Sequence, residues 1–190
     1  MKVVVAAADI TFELLGGAQA ASRSAEQQAL HAEAYADPPY QRREDAGEIA
    51  RRFRVWCRQP GFVLAQARSG GFLIGYAAGM PLRPSTSWWA EVTAPLPEDV
   101  TAEYPGRTFA LIDLVVRASW RRQGVARDLH DLILASRTEE RATLTVLPAA
   151  TPAQHAFAAW GWQKIARTRG QGPGLPVSDV LLTALAGHRS

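Results

Sequence analysis

Apolar residues recur along the chain with two spacings, and the places where one gives way to the other divide it into strands and helices. Residues 3–10 read as a strand, and Gly16-Gly17 with the Ala/Ser stretch behind it as a loop. Ser24-Ala25-Glu26-Gln27 has the form of a capping box, so a helix is expected from Ser24 to about Tyr35, stopped by Pro38-Pro39. Asp45-Ala46-Gly47-Glu48 is a second such box. Behind it Ile49, Phe53, Trp56 and Cys57 make one apolar stripe, while Arg51, Arg52, Arg54 and Arg58 fill the remaining faces, read as a solvated surface. Residues 62–67 and 72–80 are two strands around Arg68-Ser69-Gly70-Gly71, a hairpin turn. A long irregular stretch, residues 81–107, follows with five prolines and the pair Trp88-Trp89. Loops of this length are uncommon in compact domains and often functional. It is expected to act as a lid on an acceptor site, or simply to pack down through its tryptophans.

Residues 108–116 form a nearly continuous apolar run, as a central strand covered on both faces requires. A helix over 124–136 carries Val125, Leu129, Leu132 and Ile133 on one face. A strand over 142–147 is followed by a third capping-box pattern, Thr151-Pro152-Ala153-Gln154, and a helix ended by Gly161. Strands over 162–166 and 178–185 close the chain around a Gly/Pro-rich loop. This order predicts one α/β domain over residues 1–190, with a mixed, mostly antiparallel central sheet flanked by helices.

Composition narrows the class. A chain of 190 residues fits one domain at roughly 150 residues each, and is too short for an eight-fold strand–helix barrel of about 250. Lys and Arg exceed Asp and Glu by only three, so charge does not argue for a nucleic-acid partner, even with a sequence pI near 9.4. The single cysteine, Cys57, forms no internal disulfide, which fits a reducing compartment. No stretch approaches the roughly 18 apolar residues of a membrane helix. The apolar run near the N-terminus is cut by Asp9 and is shorter than the roughly 7–15 residues of a secretion signal. The expectation is a cytoplasmic enzyme or binding domain.

Chemistry concentrates where the central strand gives way to its helix. Leu114, Val115 and Val116 run into Arg121, Arg122, Gln123, Gly124, Val125, Ala126 and Arg127. Small residues at a helix start let unpaired amides approach an anion at the positive end of the helix dipole, and the arginines add charge around it. The pattern is neither a P-loop nor a dinucleotide fingerprint. Asp113 is the only charge in the apolar central strand, where an unpaired carboxylate is expensive. It is therefore the first candidate base, with pairing to an Arg or a backbone group as the competing reading. Glu91, beside the tryptophan pair, is the second. His155 could relay a proton but lies off the helix's apolar face, and the other histidines read as surface or packing residues.

Arg121-x-x-Gly124-x-Ala126 after this strand resembles the acetyl-coenzyme A motif of the GCN5-related N-acetyltransferase (GNAT) superfamily, and Trp160-Gly161-Trp162 resembles its aromatic–glycine signature further on. The resemblance covers about residues 24–185. It implies acetyl-coenzyme A as co-substrate, no metal, and splayed central strands that admit the cofactor. Leu114, Val115 and Val116 would pair with the pantetheine arm, and amides from Arg122 to Arg127 would bind the pyrophosphate. It implies direct transfer to an amine in a ternary complex. A small-molecule amine is the expected acceptor, held between the first two helices and the loops at 81–107 and 170–176. A protein or tRNA amine is the alternative, and the resemblance leaves a homodimer open. Many members carry a tyrosine acid where this chain has Phe157, and an asparagine where it has Ala150. Phe157 would still contact the cofactor but cannot donate a proton, so a coenzyme A-binding sensor without activity is a rival reading.

Overall fold

The computed structural model describes residues 10–40, 45–169 and 176–185. In chain order the elements are β1 (Ile10–Gly16), α1 (Gly17–Ser22), α2 (Ser24–Ala36), α3 (Ala46–Cys57), β2 (Val63–Ser69), β3 (Phe72–Pro81), α4 (Glu98–Thr101) and β4 (Thr108–Val116). A short 3-10 turn (Ala118–Trp120) leads to α5 (Val125–Ala135), β5 (Arg141–Val146), α6 (Thr151–Ala159), β6 (Gln163–Thr168) and β7 (Ser178–Ala184). The strands form one sheet in the order β1-β2-β3-β4-β5-β7-β6. Every neighbouring pair is antiparallel except β4 and β5.

That exception shapes the molecule. β4 and β5 pair only where Thr108, Phe109 and Ala110 meet Arg141, Ala142 and Thr143. Beyond Ala110 the strands part, and the facing backbone edges have no strand partner. On its other side β4 carries one extra residue. Leu111 pairs with Gly79 and Asp113 with Ala78, so Ile112 is bulged between them. The bulge changes the pleat, and Asp113 and Val115 face α2 and α3 while Leu114 and Val116 face the α5 side. Close approach enforces this packing: a Cβ on Gly79 would sit 2.3 Å from the Phe109 ring and 2.6 Å from the Ala110 carbonyl oxygen.

Each face of the sheet has its own core. On one, Val125, Leu129 and Ile133 of α5 pack with Phe157 and Trp162 on Ala77, Phe109 and Leu144. On the other, Leu30, Ile49, Phe53 and Cys57 of the early helices cover Leu64, Tyr76 and Val115. The α3 stripe read from the sequence is the one used: Ile49, Phe53 and Cys57 are buried, and Asp45 accepts the Glu48 amide at 2.9 Å.

Several expectations are corrected. The strand expected at 3–10 lies almost wholly outside the described residues. The first strand seen begins at Ile10, an edge strand whose mostly exposed residues carry no alternation to read. Gly16-Gly17 begins helix α1 rather than a loop. Ser24 does not cap α2: Arg23 precedes it, and the Ser24 hydroxyl donates to the Ala21 carbonyl left open by α1. The third box does not form either, because Gln154 spends its amide on Leu147 and Asp179.

Candidate active site

A cleft of about 920 Å³ occupies the gap where β4 and β5 part. Its walls are β4 from Leu111 to Val116 and β5 with its continuation from Leu144 to Leu147. Arg121, Arg122, Gly124, Ala126 and Arg127 line it, with Phe157 of α6 and Trp160 just past that helix. Tyr35, Asp37, Pro38, Pro39 and Tyr40 also line it, as do Thr168, Pro176 and Ser178.

The turn before α5 has an unusual backbone. Arg122 has φ 60° and Gly124 φ 87°, so two of three consecutive residues are left-handed. For an arginine this conformation is strained, and such strain concentrates at functional turns. Gly124 is the N-cap of α5, and no side chain caps it. The first amides of the helix therefore face the cleft without a side-chain partner. Arg121 braces the turn, its Nε donating to the Val116 carbonyl at 3.1 Å. Arg127 is ion-paired to Asp131 at 2.6 Å and lies over the Trp160 ring, so its charge is partly spent locally. Two of the expected residues do not line the cleft. Gln123 turns its amide to the Ser119 carbonyl, and Val125 is buried in the core beneath the turn.

Phe157 is 7% exposed and forms apolar wall, packed edge-on against Trp160 and Trp162. Trp162 is tied to α5: its Nε1 donates to His130 Nε2 at 2.9 Å, which leaves Nδ1 to donate to Asp131 at 2.7 Å. Burial pushes the His130 pKa down, with the Asp131 hydrogen bond opposing. In the unfolded chain His130 would titrate near 6.5, above its folded value. Its contribution is therefore complete above that pH and is lost as pH falls, because the unfolded state takes up the proton first. Melting temperature should drop between about pH 7 and 5 more steeply in the wild type than in His130→Gln, which still accepts from Trp162. Parallel curves in thermal scans would remove His130 from the account.

The floor of the cleft holds a buried network the sequence did not reveal. Asp113 has a side chain only 1% exposed. Its Oδ2 accepts from Tyr76 at 2.5 Å and from His31 Nδ1 at 2.9 Å, and its Oδ1 accepts from Tyr35 at 2.8 Å. Arg52 Nη2 meets His31 Nε2 at 2.7 Å. A guanidinium only donates, so Nε2 accepts and Nδ1 carries the hydrogen given to Asp113. Burial, then the Asp113 charge, holds the Tyr76 phenol well above its ordinary range, which keeps it a donor. The same two causes raise Tyr40, with Arg121 opposing. Asp113 thus reaches the cleft as expected, and it is a hydrogen-bonded carboxylate, not an isolated one. His31 is part of this network rather than a packing residue, and Arg52 leaves the solvated face to join it.

Other expectations move. Glu91 is exposed and is not among the residues lining the cleft; its carbonyl accepts the Arg169 amide and the Thr168 hydroxyl. No residue of 81–107 itself lines the cleft. This stretch is pinned beside it and beyond: Val92 bridges the cleft-lining Thr168, Trp89 donates to Glu103, and Glu103 is ion-paired to Arg141 at 3.1 Å. Of the expected acceptor-side loop, residues 170–175 lie outside the described residues. His155 is exposed at the rim of the cleft.

Comparison with known proteins agrees with this architecture. No curated protein matches the chain significantly. Among solved structures, the fold is similar to Arabidopsis thaliana NAA60 in complex with acetyl-CoA, at 16% identity over 94% of this chain and 100% of that one, TM-score 0.64. It is similar to a putative GNAT-family acetyltransferase from Desulfovibrio desulfuricans at 12% identity, covering 94% and 100%, TM-score 0.65. The ribosomal-protein-S18-alanine N-acetyltransferase of Escherichia coli shares the fold at 13% identity, covering 93% and 94%, TM-score 0.60. The family model described as the acetyltransferase (GNAT) family matches residues 23–162, and on that match, most of its length, the chain belongs to the GNAT family of acetyltransferases.

Proposed function

We propose that the protein transfers the acetyl group of acetyl-coenzyme A to a primary amine of a small molecule, directly, with both substrates bound together. The observation that carries this reading is the continuity of one cleft. It runs from the amide-lined turn at Arg121–Arg127, past the unpaired edges of β4 and β5, to the carboxylate network at Asp113.

The residues present fit the coenzyme. Gly124 presents no side chain to the cleft, and the open amides before α5 suit a pyrophosphate at the positive helix end. The unpaired β4 edge at Leu114, Val115 and Val116 suits the amides of a pantetheine arm. Phe157 and Trp160 offer apolar cover beside it. The bound coenzyme supplies an activated acyl carbon on a thiol leaving group. The protein supplies orientation, exclusion of water by the apolar walls, and Asp113 as the final acceptor of the proton that the amine must lose.

A small acceptor is favoured over a peptide by the prolines in the cleft wall. Pro38, Pro39 and Pro176 stand there, and proline has no amide hydrogen to pair with a peptide backbone. The small net charge offers little to tRNA.

Calorimetric titration with acetyl-coenzyme A, then thiol release over small amines and over peptides with free amino groups, tests the reading. Micromolar binding with thiol release from a small amine is expected. Release with peptides alone would overturn the acceptor class, and binding without release from any amine would overturn transfer.

A further inference from the structure

The Asp113 network contains an asymmetry that identifies which group meets the acceptor. Three side chains donate to this carboxylate: His31, Tyr76 and Tyr35. Tyr76 is fully buried and His31 is 3% exposed, and neither lines the cleft. Tyr35 is half-buried and does line it. Asp113 also touches the cleft wall, but its side chain is only 1% exposed and both its oxygens are engaged by these donors. An acceptor nitrogen entering the cleft therefore meets the Tyr35 hydroxyl on its way to the carboxylate.

The Tyr35 ring is held for this. His31 stacks on it at a centroid distance of 4.3 Å, with 24° between the planes, and Tyr40 leans on it at 4.7 Å. With the ring fixed between two others, its oxygen is pinned 2.8 Å from Asp113 Oδ1. Such fixed placement is what makes a proton carrier effective, since no reorganisation is needed at the moment of transfer.

Resting on the proposed acetyl transfer, we infer that Tyr35 and Asp113 work as a dyad in which Tyr35 is the catalytic residue that takes the proton from the acceptor nitrogen. A neutral amine attacks, and as its nitrogen gains a bond to the acyl carbon the remaining N–H becomes strongly acidic. That N–H bond breaks, its proton passes to Tyr35 Oη, and the Tyr35 proton passes to Asp113 Oδ1, while the thioester C–S bond breaks and its electron pair leaves with the coenzyme A sulfur as a thiolate, which carries the negative charge and takes a proton from solvent. The step leaves a neutral phenol and a neutral carboxylic acid, so charge and protons balance. The carboxylic acid returns its proton to solvent along the same hydroxyl after turnover. His31, fixed by Arg52, is a positioning residue: it holds Oδ2, so that Oδ1 faces Tyr35.

Tyr35→Phe tests this with little disturbance, because the ring and its stacking are kept. The expected result is a fall in kcat on the order of 100-fold, within the usual range for a lost proton-transfer group. Acetyl-coenzyme A binding by calorimetry should stay near wild type, and the melting temperature should fall by no more than a few degrees, the cost of one hydrogen bond to the buried carboxylate. The solvent isotope effect on kcat should also change. Two protons move together in the wild type, giving a curved dependence on deuterium fraction, and the variant should lose that curvature. Unchanged kcat in Tyr35→Phe, alongside an active wild type, overturns the dyad and leaves the transferase reading standing. A wild type with no thiol release from any amine is instead a failure of that reading. Should Tyr35→Phe fold poorly, 3,5-difluorotyrosine at position 35 keeps the hydroxyl and lowers its pKa. Its pH–rate profile should then shift, and an unshifted profile overturns the dyad.

Discussion

Gly124→Glu should weaken coenzyme A binding on the order of 100-fold or more while leaving a folded protein. Gly124 sits at φ 87° as the N-cap of α5, where the first helical amides face the cleft. Two effects follow from a glutamate there. The left-handed conformation costs an L-residue about 1–2 kcal/mol, spread between stability and the shape of the turn. The larger effect is electrostatic. A carboxylate placed among those amides competes for them with the pyrophosphate and repels it. Losing one or two charge-assisted hydrogen bonds, at about 1.5–3 kcal/mol each, accounts for the factor. Gly124→Ala separates the two effects. A Cβ at this position meets only the Asp128 carboxylate, at 3.8 Å, so the alanine variant carries the backbone cost without the charge. Titration should show it binding far more tightly than the glutamate variant. Wild-type affinity in Gly124→Glu would mean that the turn at Arg121–Arg127 does not hold the coenzyme.

The second large effect is expected at Asp113. Asp113→Asn should lower turnover by about 10²–10⁴-fold, with acetyl-coenzyme A affinity retained, because the carboxylate is bonded to His31, Tyr35 and Tyr76 and to none of the residues Arg121–Arg127. It should also cost stability. The native carboxylate accepts from His31, Tyr35 and Tyr76, and an asparagine offers one carbonyl oxygen and turns an N–H₂ group toward a donor. A buried donor left without an acceptor costs about 1–3 kcal/mol, or a few degrees of melting temperature in a chain of this size. Asp113→Ala removes every acceptor and should be markedly less stable than Asp113→Asn. Turnover by thiol release, measured with thermal scans on the same samples, distinguishes lost chemistry from lost fold. An asparagine variant keeping more than half of wild-type turnover would exclude Asp113 from proton transfer.

Much of the framework could be read from residue order. The continuous apolar run became strand β4 with the expected ends, Thr108–Val116. The i, i+4, i+7, i+8 stripes of α3 and α5 are the faces that pack on the sheet. These features were readable because burial on one face imposes a period on the chain itself. Capping was less readable. Asp45 caps its helix, whereas Ser24 and Gln154 fit the same local pattern and spend their polar atoms on Ala21, Leu147 and Asp179. A hydroxyl or amide takes whichever partner the tertiary fold brings near, so the pattern states an ability and not an outcome.

The site divides in the same way. Its coenzyme end is a run of neighbours, from Leu114 to Arg127, and a local conformation is enough to build it. Its proton-handling end joins Tyr35 of α2, Arg52 of α3, Tyr76 of β3 and Asp113 of β4, with up to 82 positions between bonded partners. Besides Asp113 itself, its trace in sequence is His31 and Tyr35 at i and i+4, one helix face. Nothing in residue order sets Arg52 apart from Arg51 and Arg54. The sequence by itself determined most of the strands and the longer helices, the glycine turn before α5, the family and the presence of one costly charge in the central strand. The tertiary structure alone decided where β4 and β5 part, that residues 81–107 fasten to β5 and β6, and which side chains bond to Asp113. The physical reason is range. Periodicity and capping act within a few residues, whereas hydrogen bonds to a buried carboxylate are chosen by whichever donors the packed layers bring within about 3 Å.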